Sequence, residues 1–362
     1  MIELAAWAAM REPTPADEAL ADAALTDTVA VWSAARRVAV FEPLGPAGRF
    51  AALAHVLDFD DLHLPSTAHI SAVCIPAALA RGGGARAYLA GAGTMARLGT
   101  ALGWRHYLRG WHATCTAGAP AAAVAAGVAL GLDADGLATA MALAVPAAGG
   151  VQAAFGTDAK ALQVGFAVDA GVRAADLAAA GATADPRALD QWAALLAGGP
   201  VTVDLDGPAV PGGLAVKPFP CCYALQRPMQ AARELRSSIG TPTAVVVRTP
   251  RSAVQPLRHR APRSGLEGKF SLEYGVAAAL ADDVVDFASF EDAAVRRDGL
   301  PHVTVELTDG GAGLLAGTAE LTAAGVTVVR SGVEVTPETL AAKAAMCGAD
   351  AAVSWDVAAS YV

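Results

Sequence analysis

Three aspartates and three histidines occur within one short segment of this chain, residues 55–69. In chain order they are His55, Asp58, Asp60, Asp61, His63 and His69. Burying so many ionisable groups costs free energy unless they pair with one another or take part in chemistry. Carboxylates and imidazoles are also the usual general acids and bases of enzymes. The sequence therefore predicts a functional site in this segment.

The spacing of the aspartates provides a first geometric expectation. In a helical turn Asp58 and Asp61 share one side, whereas Asp60 points away. Asp58 is then the group that orients an imidazole or acts as a base, and Asp60 and Asp61 cap a helix or face solvent. Pro65 predicts a loop between these residues and His69.

Aspartate and histidine are also ordinary metal ligands. The sequence contains no His-x-x-x-His motif and no Asp-x-Asp-x-Asp-Gly loop. A metal site is therefore an alternative to acid–base chemistry in this segment, not the leading interpretation.

Other segments add polar side chains with apolar neighbours. His112 precedes a predicted helix whose first turn offers hydroxyls and free amide donors, a setting that suits a carboxylate ligand. Lys160 and Lys217 are flanked by apolar residues, so each either reaches the surface or meets an anion. Tyr274 lies in a segment that opens a helix, where a phenol can donate a proton. A dispersed set of this kind, without a nucleophile motif or a cofactor loop, favours proton transfer next to a carboxylate.

The hydrophobic periodicity predicts two domains. Up to about Ala184 apolar residues recur at helical spacing, whereas after residue 213 β-branched residues alternate with polar ones. We expect a mainly α fold, with an all-helical bundle domain over residues 1–212 and a smaller α+β lid domain over residues 213–344. Residues 345–362 are candidates for packing back on the helical domain. Small-molecule sites often lie between domains, so the active site is expected in such a cleft.

Individual elements follow from the same patterns. Helices are predicted over residues 116–132, 134–145, 271–280 and 337–346. Strands are predicted over residues 243–249, 302–308 and 326–330.

Composition limits the classes of function. Hydrophobic residues make up 54% of the chain and charged residues 17%, and the net charge of −9 argues against nucleic acid as a partner. No apolar run reaches the roughly 20 residues that a bilayer crossing needs, and the N-terminus lacks the features of a secretory signal. The five cysteines show no metal-ligand spacing. We expect a soluble, cytoplasmic protein that uses no cofactor.

Taken in order, these segments resemble the MmgE/PrpD family, which includes 2-methylcitrate dehydratase and cis-aconitate decarboxylase. The resemblance implies a helical domain with an α+β lid, a homodimer, no metal, and a small carboxylate substrate bound in the cleft. It implies catalytic roles for Asp58, His69, His112, Lys160, Lys217 and Tyr274. The neighbouring positions assigned to substrate binding are Leu62, His63, Gln163, Cys222, Gln226 and Lys269.

The chain departs from the family motifs at four positions. Leu62 replaces a threonine, Ala113 replaces a proline, and Gln163 and Gln226 replace histidines. The lost imidazoles remove proton carriers and cations, and Leu62 removes a hydroxyl. We therefore expect the fold and the acid–base logic to persist with a substrate less charged than citrate.

The leading hypothesis is a cofactor-independent lyase, a dehydratase or a decarboxylase, that acts through an enolate-like state. In this hypothesis Asp58 orients a partner or acts as base, and His112 or His69 serves as acid or base. Lys160 and Lys217 bind carboxylates, and Tyr274 is an auxiliary donor. An epimerase or isomerase, which uses the same proton abstraction, and a catalytically inactive binding homologue are two alternatives. The third is a metal-dependent hydrolase built on Asp58, Asp60, His63 and His69.

Overall fold

The helical periodicity of the sequence is realised over most of the chain. The computed structural model describes residues 1–349 and 352–362, and the expected mainly α-helical character is confirmed. The helices of the described residues are α1 (Ile2–Met10), α2 (Pro15–Ala35), α3 (Pro46–Val56), α4 (Ser71–Leu79), α5 (Ala85–Leu108), α6 (Ala113–Ala129), α7 (Ala134–Ala144), α8 (Asp158–Ala179), α9 (Arg187–Ala197), α10 (Tyr223–Ile239), α11 (Gly265–Gly268), α12 (Leu272–Ala281), α13 (Asp292–Val295), α14 (Pro337–Met346) and α15 (Trp355–Ala358). The strands are β1 (Ala244–Pro250), β2 (His302–Thr308), β3 (Ala319–Ala323) and β4 (Val326–Arg330).

The chain divides into two compact units. Unit 1 comprises Met1–Gln152, Lys160–Val216 and Cys347–Val362, and unit 2 comprises Ala153–Ala159 and Lys217–Met346. All the strands named above lie in unit 2. Residues 153–159, which the sequence analysis leaves in the helical domain, belong to unit 2 and directly precede Lys160. Asp350 and Ala351, within the predicted C-terminal segment 345–362, lie outside the described residues.

Small residues let the central helix of unit 1, α6, pack closely against its neighbours. A Cβ atom added to Gly91 of α5 would lie 2.7 Å from the Cβ atom of Ala125 in α6. A Cβ atom added to Gly171 of α8 would lie 2.6 Å from the carbonyl oxygen of Ala119, which is also in α6. Such contacts leave no room for a larger side chain at either glycine. These contacts therefore fix the middle and the C-terminal half of α6, the helix that begins directly after His112.

The sheet of unit 2 has the strand order β2-β1-β3-β4. Strand β1 pairs parallel with β2 and antiparallel with β3, and β3 pairs antiparallel with β4. Ala324 and Gly325 join β3 to β4 with φ angles of 49° and 76°, as a two-residue type I′ hairpin turn requires. Helix α10 packs against β3 and β4, and α12 packs against β2. The sequence predicts β1, β2 and β4 to within a residue, but it does not predict β3.

The helix predicted over residues 116–132 begins earlier, at Ala113, and contains Pro120. Its earlier start places His112 at the N-cap position of α6. None of the helices in residues 1–349 and 352–362 has both the length and the hydropathy that a bilayer crossing requires.

Candidate active site

A continuous set of polar side chains lies buried in unit 1. The Nζ atom of Lys160 in α8 is 2.5 Å from Nε2 of His55, near the end of α3. Nδ1 of His55 is 2.7 Å from Oδ2 of Asp60, and the same carboxylate oxygen is 3.0 Å from Nδ1 of His69. All four side chains are buried. Lys160, His55, Asp60 and His69 are called the Lys160 cluster below.

Asp58 lies at the edge of the Lys160 cluster. Its Oδ1 atom is 3.7 Å from Nζ of Lys160 and 3.8 Å from Nε2 of His69. Its backbone has a φ angle of 50°, in the left-handed region that non-glycine residues adopt rarely. Backbone geometry of this kind is common in functional sites, where surrounding contacts hold it in place. Asp58 therefore adds a second carboxylate beside the ammonium and the imidazoles.

The prediction that residues 58–61 form a helical turn with Asp60 pointing away is wrong. The positive φ of Asp58 turns the chain out of the helical path after α3. Asp60 consequently points into the protein, where it contacts two imidazoles, and does not face solvent. Asp61 is also buried, and its Oδ1 atom accepts a hydrogen bond from the backbone N–H of Ser71, the first residue of α4. Asp61 thus fills the capping role, whereas Asp60 is the carboxylate that orients the imidazoles.

His112 lies next to the Lys160 cluster. Its ring stacks on the ring of His55, with centroids 5.7 Å apart. Its backbone N–H donates to the carbonyl of Gly150, which fixes the start of α6. Its Nδ1 atom is 3.1 Å from Sγ of Cys115 and 3.3 Å from Oε1 of Gln163. Unit 1 therefore brings together Asp58, His69, His112, Lys160 and Gln163 from the residues that the sequence predicts.

Burial and the ammonium of Lys160 control the protonation of these groups. Burial lowers the pKa of His55, and Lys160 lowers it further, against the opposing effect of Asp60. Burial also holds the pKa of His112 well below its usual value, again with further lowering by Lys160. Burial alone would raise the pKa of Asp60, but the imidazoles of His69 and His55 outweigh it and hold that pKa well below the usual range. At neutral pH the site therefore contains an ionised Asp60 and a neutral His112.

Leu62 and His63 lie in the same loop as Asp60, with contacts outside the Lys160 cluster. Nδ1 of His63 is 2.8 Å from the hydroxyl of Ser66, and its Nε2 atom is 2.6 Å from the carbonyl oxygen of Pro211. The backbone of Leu62 pairs with that of Ala215. These contacts hold the loop in place, and the assignment of both residues to substrate binding stays a prediction.

Three of the predicted site residues in unit 2 have buried side chains with polar neighbours. Lys217 is fully buried and offsets part of the increase that burial causes in the pKa of Tyr223. Lys269 donates to the carbonyl of Pro220. The hydroxyl of Tyr274 donates to the carbonyl of Ser289, and burial raises the pKa of this phenol to about 12. The hydroxyl hydrogen of Tyr274, which the sequence predicts as an auxiliary proton donor, is therefore engaged in a hydrogen bond to a main-chain carbonyl in this structure.

Gln226 holds the loop that contains Cys222. Its Oε1 atom accepts from the backbone N–H of Phe219 at 2.8 Å. Its Nε2 atom donates to the carbonyls of Phe219 and Cys221, both at 3.0 Å. The buried amide thus satisfies several main-chain groups of residues 219–222, which follow Lys217 in the chain.

Two family models match the chain. The model of the MmgE/PrpD N-terminal domain matches residues 4–198, and the model of the MmgE/PrpD C-terminal domain matches residues 219–304. The chain belongs to the MmgE/PrpD family. Members of this family are generally lyases, mostly dehydratases. No curated protein matches the chain significantly.

In this MmgE/PrpD protein the Lys160 cluster also meets the distance requirement of a metal site. His55, Asp60 and His69 each offer one ligand atom, and these atoms lie within 4.8 Å of one another. The set differs from the alternative that the sequence raised, because it includes His55 and lacks Asp58 and His63. Lys160 already places a positive charge 2.5 Å from His55, which opposes binding of a cation to the same imidazole. The donor set therefore fits internal hydrogen bonding better than metal ligation.

Three residues of the site, His55, Asp60 and Cys115, are absent from the predicted catalytic and substrate-binding residues of this MmgE/PrpD protein. His55 is among the ionisable residues that the sequence singles out, but it receives no role because it lies at the end of an ordinary amphipathic helix. Cys115 receives none because the predicted start of α6 lies beyond it. The position of Cys115 three residues after His112, one helical turn away, is the signal that predicts their contact once the helix start is known.

Proposed function

We propose that this protein is a cofactor-independent lyase that removes a proton next to a carboxylate or carbonyl of a small organic acid. The observation that supports it best is the buried ammonium of Lys160 among the imidazoles of His55, His69 and His112. A buried cation beside the neutral imidazole of His112 suits a reaction in which a base takes a proton from carbon while negative charge develops on a nearby oxygen.

The proposed elimination proceeds as follows. An imidazole takes the proton from carbon, and the electron pair of the broken C–H bond forms an enolate whose oxygen is stabilised by the ammonium of Lys160. The pair then forms a carbon–carbon double bond as a C–O bond breaks, and a second acidic group protonates the departing hydroxide to give water. In a decarboxylase, the breaking bond is instead the one to a carboxylate carbon, and the carbon left behind takes up a proton.

The substrate is proposed to carry fewer negative charges than a tricarboxylate. Gln163 and Gln226 are neutral where the family motif has histidines, and the amide of Gln226 is bonded to the main chain of its own loop. Lys217 is proposed as a second carboxylate-binding group and Tyr274 as an auxiliary donor, on the strength of their motifs. We expect a small mono- or dicarboxylate.

The test is a panel of hydroxy, amino and unsaturated acids incubated with the protein in heavy water and followed by proton NMR. The expected result is formation of an unsaturated or decarboxylated product, lost in Lys160→Ala and His112→Ala. Matched controls are Lys343→Ala, on α14, and His302→Ala, on the exposed edge of the sheet. A folded wild-type protein that neither turns over nor binds any member of the panel contradicts the proposal.

The same experiment separates the alternatives. Deuterium that enters an otherwise unchanged carbon, without elimination, indicates an epimerase or isomerase. Turnover that is abolished by chelation and restored by a divalent metal indicates the metal-dependent hydrolase, with His55, Asp60 and His69 as its ligands.

A further inference from the structure

Two neutral groups meet the Nδ1 atom of His112. Cys115 lies in the first turn of α6, and its Sγ atom is 3.1 Å from Nδ1. Gln163 lies on α8, and its Oε1 atom is 3.3 Å from the same nitrogen. Neither group carries a charge, because burial raises the pKa of the Cys115 thiol. The contacts of Nδ1 are therefore those of a neutral imidazole, not those of an ion pair.

The orientation of the Gln163 amide decides which nitrogen of His112 carries the hydrogen. The backbone N–H of Val151 donates to Oε1 of Gln163 at 2.9 Å, so the oxygen, and not the NH₂ group, faces His112. An amide oxygen opposite a nitrogen lone pair is repulsive, whereas opposite an N–H it accepts a hydrogen bond. The thiol sulfur of Cys115 accepts weakly from the same N–H. A neutral thiol can donate or accept, so Cys115 accommodates an N–H at this position, whereas the fixed amide oxygen of Gln163 favours a hydrogen on Nδ1 and leaves the lone pair on Nε2.

The other imidazoles have different surroundings. His55 has Lys160 at Nε2 and Asp60 at Nδ1, so both of its nitrogens are engaged within the Lys160 cluster. Both nitrogens of His69 face carboxylate oxygens, Nδ1 that of Asp60 at 3.0 Å and Nε2 that of Asp58 at 3.8 Å, so an N–H on either nitrogen points toward a carboxylate. His69 is thus placed to give a proton, and His112 to take one.

We propose that Cys115 and Gln163 are positioning residues that hold His112 as the Nδ1–H tautomer, so that its Nε2 lone pair is the base of the reaction. The role of Nε2 as the base that takes a proton from substrate carbon rests on the proposed lyase function. The tautomer of His112 does not depend on that function. In the proton transfer the C–H bond breaks, its electron pair stays on the substrate as the enolate, and Nε2 gains the proton. Glutamine at position 163 keeps this hydrogen bond without adding a charge that a histidine could carry.

The experiment reads the tautomer directly from the full-length protein with isotope-labelled histidine. Two-bond proton–nitrogen correlation spectra distinguish the protonated from the unprotonated ring nitrogen, and His112→Gln identifies the His112 signal among the seven histidines. The expected wild-type result is a hydrogen on Nδ1 and none on Nε2 between about pH 6 and pH 8. Wild-type protein with the hydrogen on Nε2 overturns the proposal, and this measurement needs no variant of the positioning residues.

Variants test the two positioning residues. Cys115→Ala with Gln163→Leu removes both acceptors, so the Nε2–H form is expected to appear. Cys115→Ser with native Gln163 keeps an acceptor at each position and is expected to retain the wild-type tautomer. Cys74→Ala, which removes a buried thiol on α4, is the matched control. An unchanged tautomer in the folded double variant overturns the proposal.

A kinetic readout follows once a substrate is known. Gln163→Glu places a negative charge beside Nδ1–H, so the acid limb of the pH profile of kcat/KM is expected to move to higher pH by about one unit or more. An acid limb that does not move overturns the role of His112 as the base. If no substrate is turned over, the lyase proposal fails. The predicted tautomer of His112 is still tested by NMR, because that measurement needs no substrate.

Discussion

Nζ of Lys160 lies 2.5 Å from Nε2 of His55, and this contact determines which nitrogen of His55 carries the hydrogen. Because the ammonium donates to Nε2, the hydrogen of the His55 imidazole lies on Nδ1 and points to Asp60. Asp60 can then accept from His55 and His69 through one oxygen. The ammonium of Lys160 thus sets the direction of the hydrogen bonds from His55 to Asp60, the carboxylate that also contacts His69.

Lys160→Met is expected to lower turnover by about 10²- to 10³-fold, since it removes the cation proposed to stabilise the enolate. The pKa values of His55 and His112 are expected to rise, because Lys160 lowers both, although burial remains the larger cause. Histidine titration by NMR and steady-state kinetics measure the two effects. Lys343→Met is the matched control, with neither change expected. Unchanged histidine pKa values in a folded Lys160→Met protein would contradict this electrostatic role.

Asp60→Asn is expected to lower turnover by about 10²-fold or more, because the neutral amide removes the negative charge beside the two imidazoles, even where its oxygen takes the place of Oδ2. The pKa of Asp60 is held well below its usual range, so the loss is expected throughout neutral pH. The measurement is kcat/KM on the substrate found with the acid panel. Asp61→Asn, next in the chain and also buried, is the control and is expected to keep most of the activity. Equal losses in the two variants would assign Asp60 a structural role only.

The sequence predicts those site residues whose motifs can be recognised without knowing the backbone. Asp58, His69, His112 and Lys160 are predicted in this way, and the structure brings them together in unit 1. The role of Asp60 could not be predicted, because a helical spacing rule fails where Asp58 adopts a φ of 50°. Aspartate adopts the left-handed conformation more often than most residue types, but still rarely, so the residue type does not predict it and tertiary contacts must hold it in place.

The same limit applies to the elements of unit 2. Strands β1, β2 and β4 are rich in β-branched residues and are predicted, whereas β3, with the sequence Ala-Glu-Leu-Thr-Ala, has little intrinsic β-propensity. Its conformation follows from pairing with β1 on one side and β4 on the other. Helix α10 contains Pro228, which conceals its continuity in the sequence. Tertiary contacts, which the sequence analysis cannot include, decide both elements.

Gln226→Leu is expected to destabilise the protein by about 2 to 3 kcal/mol, because it leaves the partly buried main-chain groups of Phe219 and the buried carbonyl of Cys221 without their side-chain partner. Denaturant unfolding followed by circular dichroism measures the loss. The matched control is Gln230→Leu on the same helix, whose hydrogen bonds are to the exposed Glu334 backbone and to Arg330, and a cost below about 1 kcal/mol is expected there. Equal costs for the two variants would show that the buried amide of Gln226 does not stabilise its loop.

Asp61 is a buried carboxyl group that the proposed reaction does not use. Its Oδ1 atom accepts from Ser71, and its Oδ2 atom has no hydrogen-bond partner among the described residues. Burial raises its pKa to about 7, and the nearby carboxylates of Asp27 and Asp60 add to the increase. The hydroxyls of Ser71 and Tyr88, 2.8 Å apart, lie next to it and bring no positive charge that would stabilise its ionised form. Asp61 is therefore largely protonated in the folded protein below neutral pH.

This raised pKa predicts how stability depends on pH. Between about pH 4 and pH 7 the unfolded chain releases the Asp61 proton while the folded protein keeps it, so the contribution of Asp61 to the free energy of unfolding falls as pH rises. Asp61→Asn removes this dependence and is expected to raise the free energy of unfolding above pH 7, by up to about 4 kcal/mol. Urea unfolding at several pH values measures it. Asp17→Asn is the opposite control, because Thr14 and Ala209 hold the pKa of Asp17 below its usual value against the effect of burial, and its removal costs stability above about pH 4. A stability profile that is the same in wild type and Asp61→Asn would mean that Asp61 is ionised in the folded protein.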